Sequence, residues 1–101
     1  MRIIKIGEQD ISVQGGPWAL VLYEREFSPE HSDFFEDAKK YCPADDLPNP
    51  MFLLRIAWAM ARNADDSFPP FDRWAKSLDV SLQKGSDWSG EVISAINAEI
   101  F

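Results

Sequence analysis

Cysteine and histidine are nearly missing from this chain: Cys42 and His31 are the single residues of each kind. One cysteine excludes an intramolecular disulfide and suits a reducing compartment. One histidine leaves any metal site or nucleophile–base pair to be built from His31 with Cys42 or a carboxylate. The two stand eleven positions apart, which on a straight helix is about 16 Å, too far for one to deprotonate the other. Positive charge is also scarce. Ten lysines and arginines against seventeen aspartates and glutamates leave a formal net charge of −7. That balance excludes the basic face that nucleic acid requires, and it opposes docking on an anionic membrane. Long apolar runs are absent too. The opening MRIIKIGEQD holds no apolar stretch of signal-peptide length. The expectation is a cytoplasmic, acidic protein that is not an enzyme and needs no metal or cofactor.

What is present is a packed helical core. A chain of 101 residues, 46% of them hydrophobic, has the size of one domain, 1–101, and buries roughly two-thirds of its unfolded surface. Its organising stretch is Pro50 to Ala64, PMFLLRIAWAMARNA. Read as a helix, it is apolar nearly all round, with only a thin polar line at Arg55 and Arg62. Such a helix is a buried post with other elements laid around it, and Leu54, Trp58 and Met60 are its expected core residues. Fifteen residues span about 22 Å, less than the ~30 Å core of a membrane.

Around this post the pattern predicts an α+β, mainly α fold, with an N-terminal hairpin and four to five helices. Residues 2–13 alternate with a period of two about Gly7-Glu8-Gln9, as half-buried strands do. Pro17 suits a helix start, and Leu20, Tyr23 and Phe27 then share one face up to Phe27. Ser28-Pro29 reads as a cap and first turn of a second helix, whose stripe is Phe34, Ala38 and Tyr41, with Phe35 and Cys42 beside it. Pro43 ends it. After the post, Asp65-Asp66-Ser67 is a turn and Pro70 opens a short helix to about 78. Asp79 to Leu82 is an extended link, and Ser86 caps a last helix, 87–100, carrying Trp88, Val92, Ala95, Ile96 and Ile100.

Two features resemble chemistry without supplying it. Asp45-Asp46 and Asp65-Asp66 lack the spacing of a calcium loop and read as turn and capping residues. Gly15-Gly16 has no following GK[ST] and is no phosphate loop. The aromatics are a different matter. Four tryptophans and seven phenylalanines are many for a domain this small to hide, and leftover aromatic surface points to a protein partner. The candidate partner-binding residues are Phe34, Phe35, Phe68, Phe71, Trp74 and Phe101.

The run LLRIAWAMARNADDSFPPFDRWAKSLDVSL resembles the tail assembly chaperones of long-tailed phages and prophages of Gram-positive bacteria. In that family a buried helix with a W-A-M core, here Trp58-Ala59-Met60, precedes an F-P-x-F-x-x-W segment. The latter is Phe68-Pro69-Pro70-Phe71 with Trp74. MRIIKIGEQDISV is similar to the family's N-terminal hairpin with its I-G turn. Tyr23, Glu26 and Phe27 match a first-helix Y-x-x-E-F pattern, and Asp87-Trp88 opens a last helix that closes on Phe101. The likeness spans nearly the whole chain, and the order of the motifs carries it. The departure is Ser28-Pro29, where the family's first helix is expected to run on into the second.

The resemblance implies a non-enzymatic role in the bacterial host. The partner is the long, helical, apolar tape measure protein, kept unaggregated while tail tube protein assembles around it. The family also implies a longer product made by ribosomal frameshifting, and the open hairpin edges or the surplus aromatic surface imply weak homo-oligomers. The alternative is an immunity or antitoxin-like protein whose acidic surface plugs a basic toxin.

Overall fold

Two strands and five helices appear in the computed structural model, which describes residues 1–28, 30 and 33–101. They are β1 (Arg2–Ile6), β2 (Gln9–Val13), α1 (Pro17–Phe27), α2 (Phe34–Tyr41), α3 (Pro50–Ala64), α4 (Phe71–Ser77) and α5 (Asp87–Glu99). The class is α+β, mainly α, with the hairpin at the N-terminal end. No helix among the described residues is long and apolar enough to cross a membrane.

The hairpin is antiparallel, with Ile4 opposite Ile11 and Ile6 opposite Gln9. That register puts Ile4, Ile6, Ile11 and Val13 on one buried face, and leaves Ile3, Lys5, Asp10 and Ser12 exposed on the other. The two-residue turn needs a positive φ, and Gly7 supplies it at 61° without the steric penalty that a Cβ would incur. An isolated two-stranded ribbon is marginal in water. This one is held because its apolar face lies across α3 and α5.

Helix α3 is the post. Asn49 caps it by accepting from the Met51 N–H at 2.9 Å, Pro50 fills the first turn, and Asp65 leaves in an extended conformation. Every residue from Phe52 to Ala61 is buried. At roughly 1.5–3 kcal/mol for each large apolar side chain, this helix supplies much of the fold's hydrophobic free energy. Helices α1, α2 and α4, the β2 strand and α5 all pack against it. Its C-terminal half also fixes the strand-to-helix junction. The Gln14 N–H donates to the Met60 carbonyl at 3.0 Å, and Asn63 Nδ2 donates to the carbonyls of Gln14 and Gly15.

The structure differs from the sequence reading at several places. Gln9, read as part of the turn, is the first residue of β2 and pairs with Ile6. Arg55, expected on a polar line, is buried at 7% exposure. Ser28 is the C-cap of α1, its N–H bonded to the Glu24 carbonyl at 3.0 Å. The second helix begins instead at Phe34, because the Asp33 carboxylate accepts from the Glu36 N–H at 3.0 Å. A first-turn role for Pro29 falls outside the described residues. Pro70 stands one residue before α4, which runs from Phe71 only to Ser77. Ser86 occupies the N-cap position of α5, but its hydroxyl donates to the Gln83 carbonyl at 2.6 Å and makes no cap bond.

Candidate partner-binding surface

The aromatic residues separate into two groups once their surroundings are known. Phe68, Phe71 and Trp74 belong to the segment after α3, and this segment turns inward. Trp74 is buried, and its indole N–H donates to Gln9 Oε1 at 3.1 Å, joining α4 to the hairpin. Phe68 meets the Trp74 ring edge-on at 5.6 Å, and Phe71 meets Phe27 edge-on at 5.0 Å. Both are half-buried. Trp58 anchors the same segment by donating its indole N–H to the Pro69 carbonyl at 2.9 Å. Arg62 donates to the Phe68 carbonyl beside it. These residues fasten a proline-rich loop to the core, which fits the general need of a buried indole N–H for a partner. Leu54, Trp58 and Met60 are all buried in that core.

Phe34, Phe35 and Phe101 form the second group. Phe34 is buried, stacked on Phe52 with ring centroids 5.6 Å apart. Phe35 on the next position of α2 is 49% exposed, and Phe101 beyond α5 is 71% exposed. Their rings lie 6.4 Å apart, and each touches Phe34. The structure thus brings the start of α2 and the end of the chain together as an aromatic surface with Phe34 as its floor. Of the six residues expected at a partner face, Phe35 and Phe101 are the ones substantially open to solvent. Phe34 and Trp74 are core.

Further exposed apolar side chains were not singled out from sequence. Trp18 is 49% exposed on α1, with the Arg25 guanidinium 5.1 Å above its ring. Leu47 and Leu82 are also exposed, and Leu47 borders Gly85. A hydrophobic pattern places residues on faces, but it does not say which face lacks a covering element.

Cys42 lies at the surface, and partial burial of its thiol raises its pKa, away from the thiolate that a nucleophile needs. His31 falls outside the described residues. Asp46 is held below the usual carboxylate range by the Lys84 ammonium at 2.8 Å and by the Leu47 N–H. Asp65 is lowered likewise by the Ser67 hydroxyl and N–H. Both acids perform turn chemistry. No group of three metal-ligating side chains occurs among the described residues. A cleft of about 400 Å³ lies between the hairpin turn, the 79–81 link and the start of α5. Three carboxylates, Asp79, Asp87 and Glu91, against one ammonium, Lys5, give it an acidic rim beside Trp88.

One polar group inside the core was missed. Asp37, Tyr23 and Arg55 are buried together where α2, α1 and α3 meet. The Tyr23 hydroxyl donates to Asp37 Oδ2 at 2.6 Å, and Arg55 Nε donates to the Tyr23 oxygen at 3.4 Å. The Arg55 guanidinium also sits 5.3 Å from the centroid of the Tyr41 ring. The signal was present: Phe34, Asp37, Ala38 and Tyr41 follow one another at i, i+3, i+4, i+7, so Asp37 lies on the apolar stripe. Comparison with family models, with curated proteins and with solved structures found no match to this chain.

Proposed function

We propose that the chain is a non-enzymatic tail assembly chaperone that binds the tape measure protein of a phage or prophage. The observation that carries the reading is the exposed Phe35–Phe101 surface on an otherwise acidic molecule. A tape measure protein is long and helical, and its apolar stripes must be masked until tube subunits cover them. Only complementary apolar surface can mask them, while a net charge of −7 keeps the complex dispersed. The motif order running from the hairpin to Asp87-Trp88 supports the same reading. Weak pairing of copies through the two free hairpin edges accompanies it, and sedimentation at several concentrations measures that association.

Co-expression with the neighbouring tape measure protein tests the proposal. The expected result is a larger soluble fraction of the tape measure protein and a complex that co-purifies. Because apolar contacts are not screened, the complex withstands salt that would dissolve an ion-paired one. The acidic cleft around Asp79, Asp87 and Glu91 is the surface an immunity protein would turn to a basic toxin. Salt-sensitive neutralisation of a toxin from the same locus, with the tape measure protein left insoluble, would overturn the chaperone reading in favour of that one.

A further inference from the structure

Helix α1 carries a second stripe besides the one it buries. Ala19, Tyr23 and Phe27 face the core, while Trp18, Leu22 and Arg25 follow one another at i, i+4 and i+7 on another face. Trp18 and Arg25 are exposed and Leu22 is half-buried. The Arg25 guanidinium lies over the Trp18 ring at 5.1 Å. On α3, Trp58 and Arg62 stand one turn apart. These two helices and the loop before α4 border a cleft of about 270 Å³, lined by Leu22, Arg25, Glu26, Trp58, Arg62 and Pro70. Arg62 is half-buried and anchored there, donating to the Phe68 carbonyl.

Positive charge without a counter-ion is unexpected on a chain of net charge −7. Lys39 pairs with Glu36 and Lys84 with Asp46, but among the described residues neither Arg25 nor Arg62 forms an ion pair. Asp65, three positions on from Arg62, gives its carboxylate to the Ser67 hydroxyl and N–H. Glu26 is the single carboxylate in the lining, so two guanidiniums leave the cleft one positive charge in excess. A guanidinium fork matches a carboxylate edge to edge, and walls of leucine, indole and proline keep water from one side of that contact and so strengthen it. We propose that this cleft receives a carboxylate from an acidic amphipathic helix of a partner protein, whose apolar side chain one turn away lies on Trp18. A single carboxylate balances the excess charge. A free dianion such as phosphate would meet Glu26 and leave the apolar walls and Trp18 uncovered. The cleft shares no residue with the Phe35–Phe101 surface, and the inference does not rest on the chaperone reading.

Titrating the full chain with a labelled helical peptide tests the assignment. The probe carries Glu and Leu four positions apart, and its control has Gln for each Glu. The Glu peptide is expected to shift the side-chain Nε–H signals of Arg25 and Arg62 in proton–nitrogen spectra. By fluorescence anisotropy it is expected to bind at least about fivefold more tightly than the control, and to weaken as salt rises from about 50 to 500 mM. Arg25→Ala, at an exposed position, is expected to lower affinity about fivefold with the melting transition unchanged, and Arg25→Lys to lower it less. Glu26→Gln is expected to raise affinity, because it removes the competing carboxylate. No binding, equal binding of the two peptides, or shifts confined to other residues would overturn the proposal. So would weaker binding to Glu26→Gln, the sign of a basic partner. Inorganic phosphate that shifts both arginine signals and displaces the peptide at equal concentration would reduce the cleft to a small-anion site and overturn the docking of a helix. None of these measurements uses a tape measure protein, so a failed co-expression leaves their result standing.

Discussion

Tyr23 is a fully buried side chain whose hydroxyl bridges an acid and a base. Burial raises its pKa far above the ordinary phenol value; the Arg55 hydrogen bond opposes that and the Asp37 acceptor adds to it. An unfolded tyrosine ionises near pH ~10. Below that value both states keep the proton and Tyr23 contributes no pH dependence. Above it the unfolded chain loses the proton while the folded one retains it, so stability falls as pH rises, by up to about 1.4 kcal/mol per pH unit. Urea unfolding of wild type and Tyr23→Phe between about pH 8 and 11 is expected to show this fall in the wild type and its reduction in the variant. At neutral pH the variant loses about 1–3 kcal/mol, because the bridge between Asp37 and Arg55 is gone. Trp58 poses a plainer packing problem. It meets Phe27 and Phe71 edge-on and donates to Pro69, so Trp58→Ala is expected to cost about 3–5 kcal/mol in denaturant titration. The central role of Trp58 was legible because its neighbours along the chain are apolar on every side. Asp37 stood on the apolar stripe of α2, a legible signal, but its partners and the burial of Arg55 were not legible, because the group is assembled from three separate helices.

At the scale of elements, α3 could be bounded to the residue and the hairpin to within one, Gln9 belonging to β2 and not to the turn, since period-two alternation and an Asn-Pro start are local signals. The boundary between α1 and α2 was misread for an equally local reason. Ser28-Pro29 has the chemistry of a cap and first turn, yet Asp33 is the residue whose carboxylate meets a helical N–H. The join between β2 and α1 depends on contact with the far end of the chain. A Cβ built on Gly15 would land on the backbone of Glu99 at the close of α5, so only glycine lets the two meet. Gly15→Ala is expected to lower stability by about 1–3 kcal/mol, the usual range for forced overpacking. Gly90 offers a built-in comparison, because a Cβ there meets nothing within 4 Å. Gly90→Ala, inside α5, is expected to raise stability by up to about 1 kcal/mol through helix propensity. Thermal melts of the two variants side by side check both signs.

For the molecule as a whole, the aromatic surface was legible as a surplus and not as a place. Counting rings predicts that some stay outside, but the pairing of Phe35 with Phe101 needs the close of α5 to lie beside the start of α2. Replacing both with serine is expected to leave the melting transition nearly unchanged, within about 1 kcal/mol, while removing the gain in tape measure solubility. Full chaperone activity from a folded Phe35→Ser/Phe101→Ser variant would move the client site elsewhere. The same meeting of chain ends has a mechanical side. Met1 lies 3.6 Å from the Glu99 carboxylate through its amino group, and Arg2 reaches Ser94, while the hairpin turn sits near the opposite end of α5. Strand β1 and helix α5 thus run antiparallel from a shared starting point. Tension applied to residues 1 and 101 would load that seam at one end and part its contacts one after another, like a zipper. A seam loaded in that direction yields at low force, whatever its stability at rest.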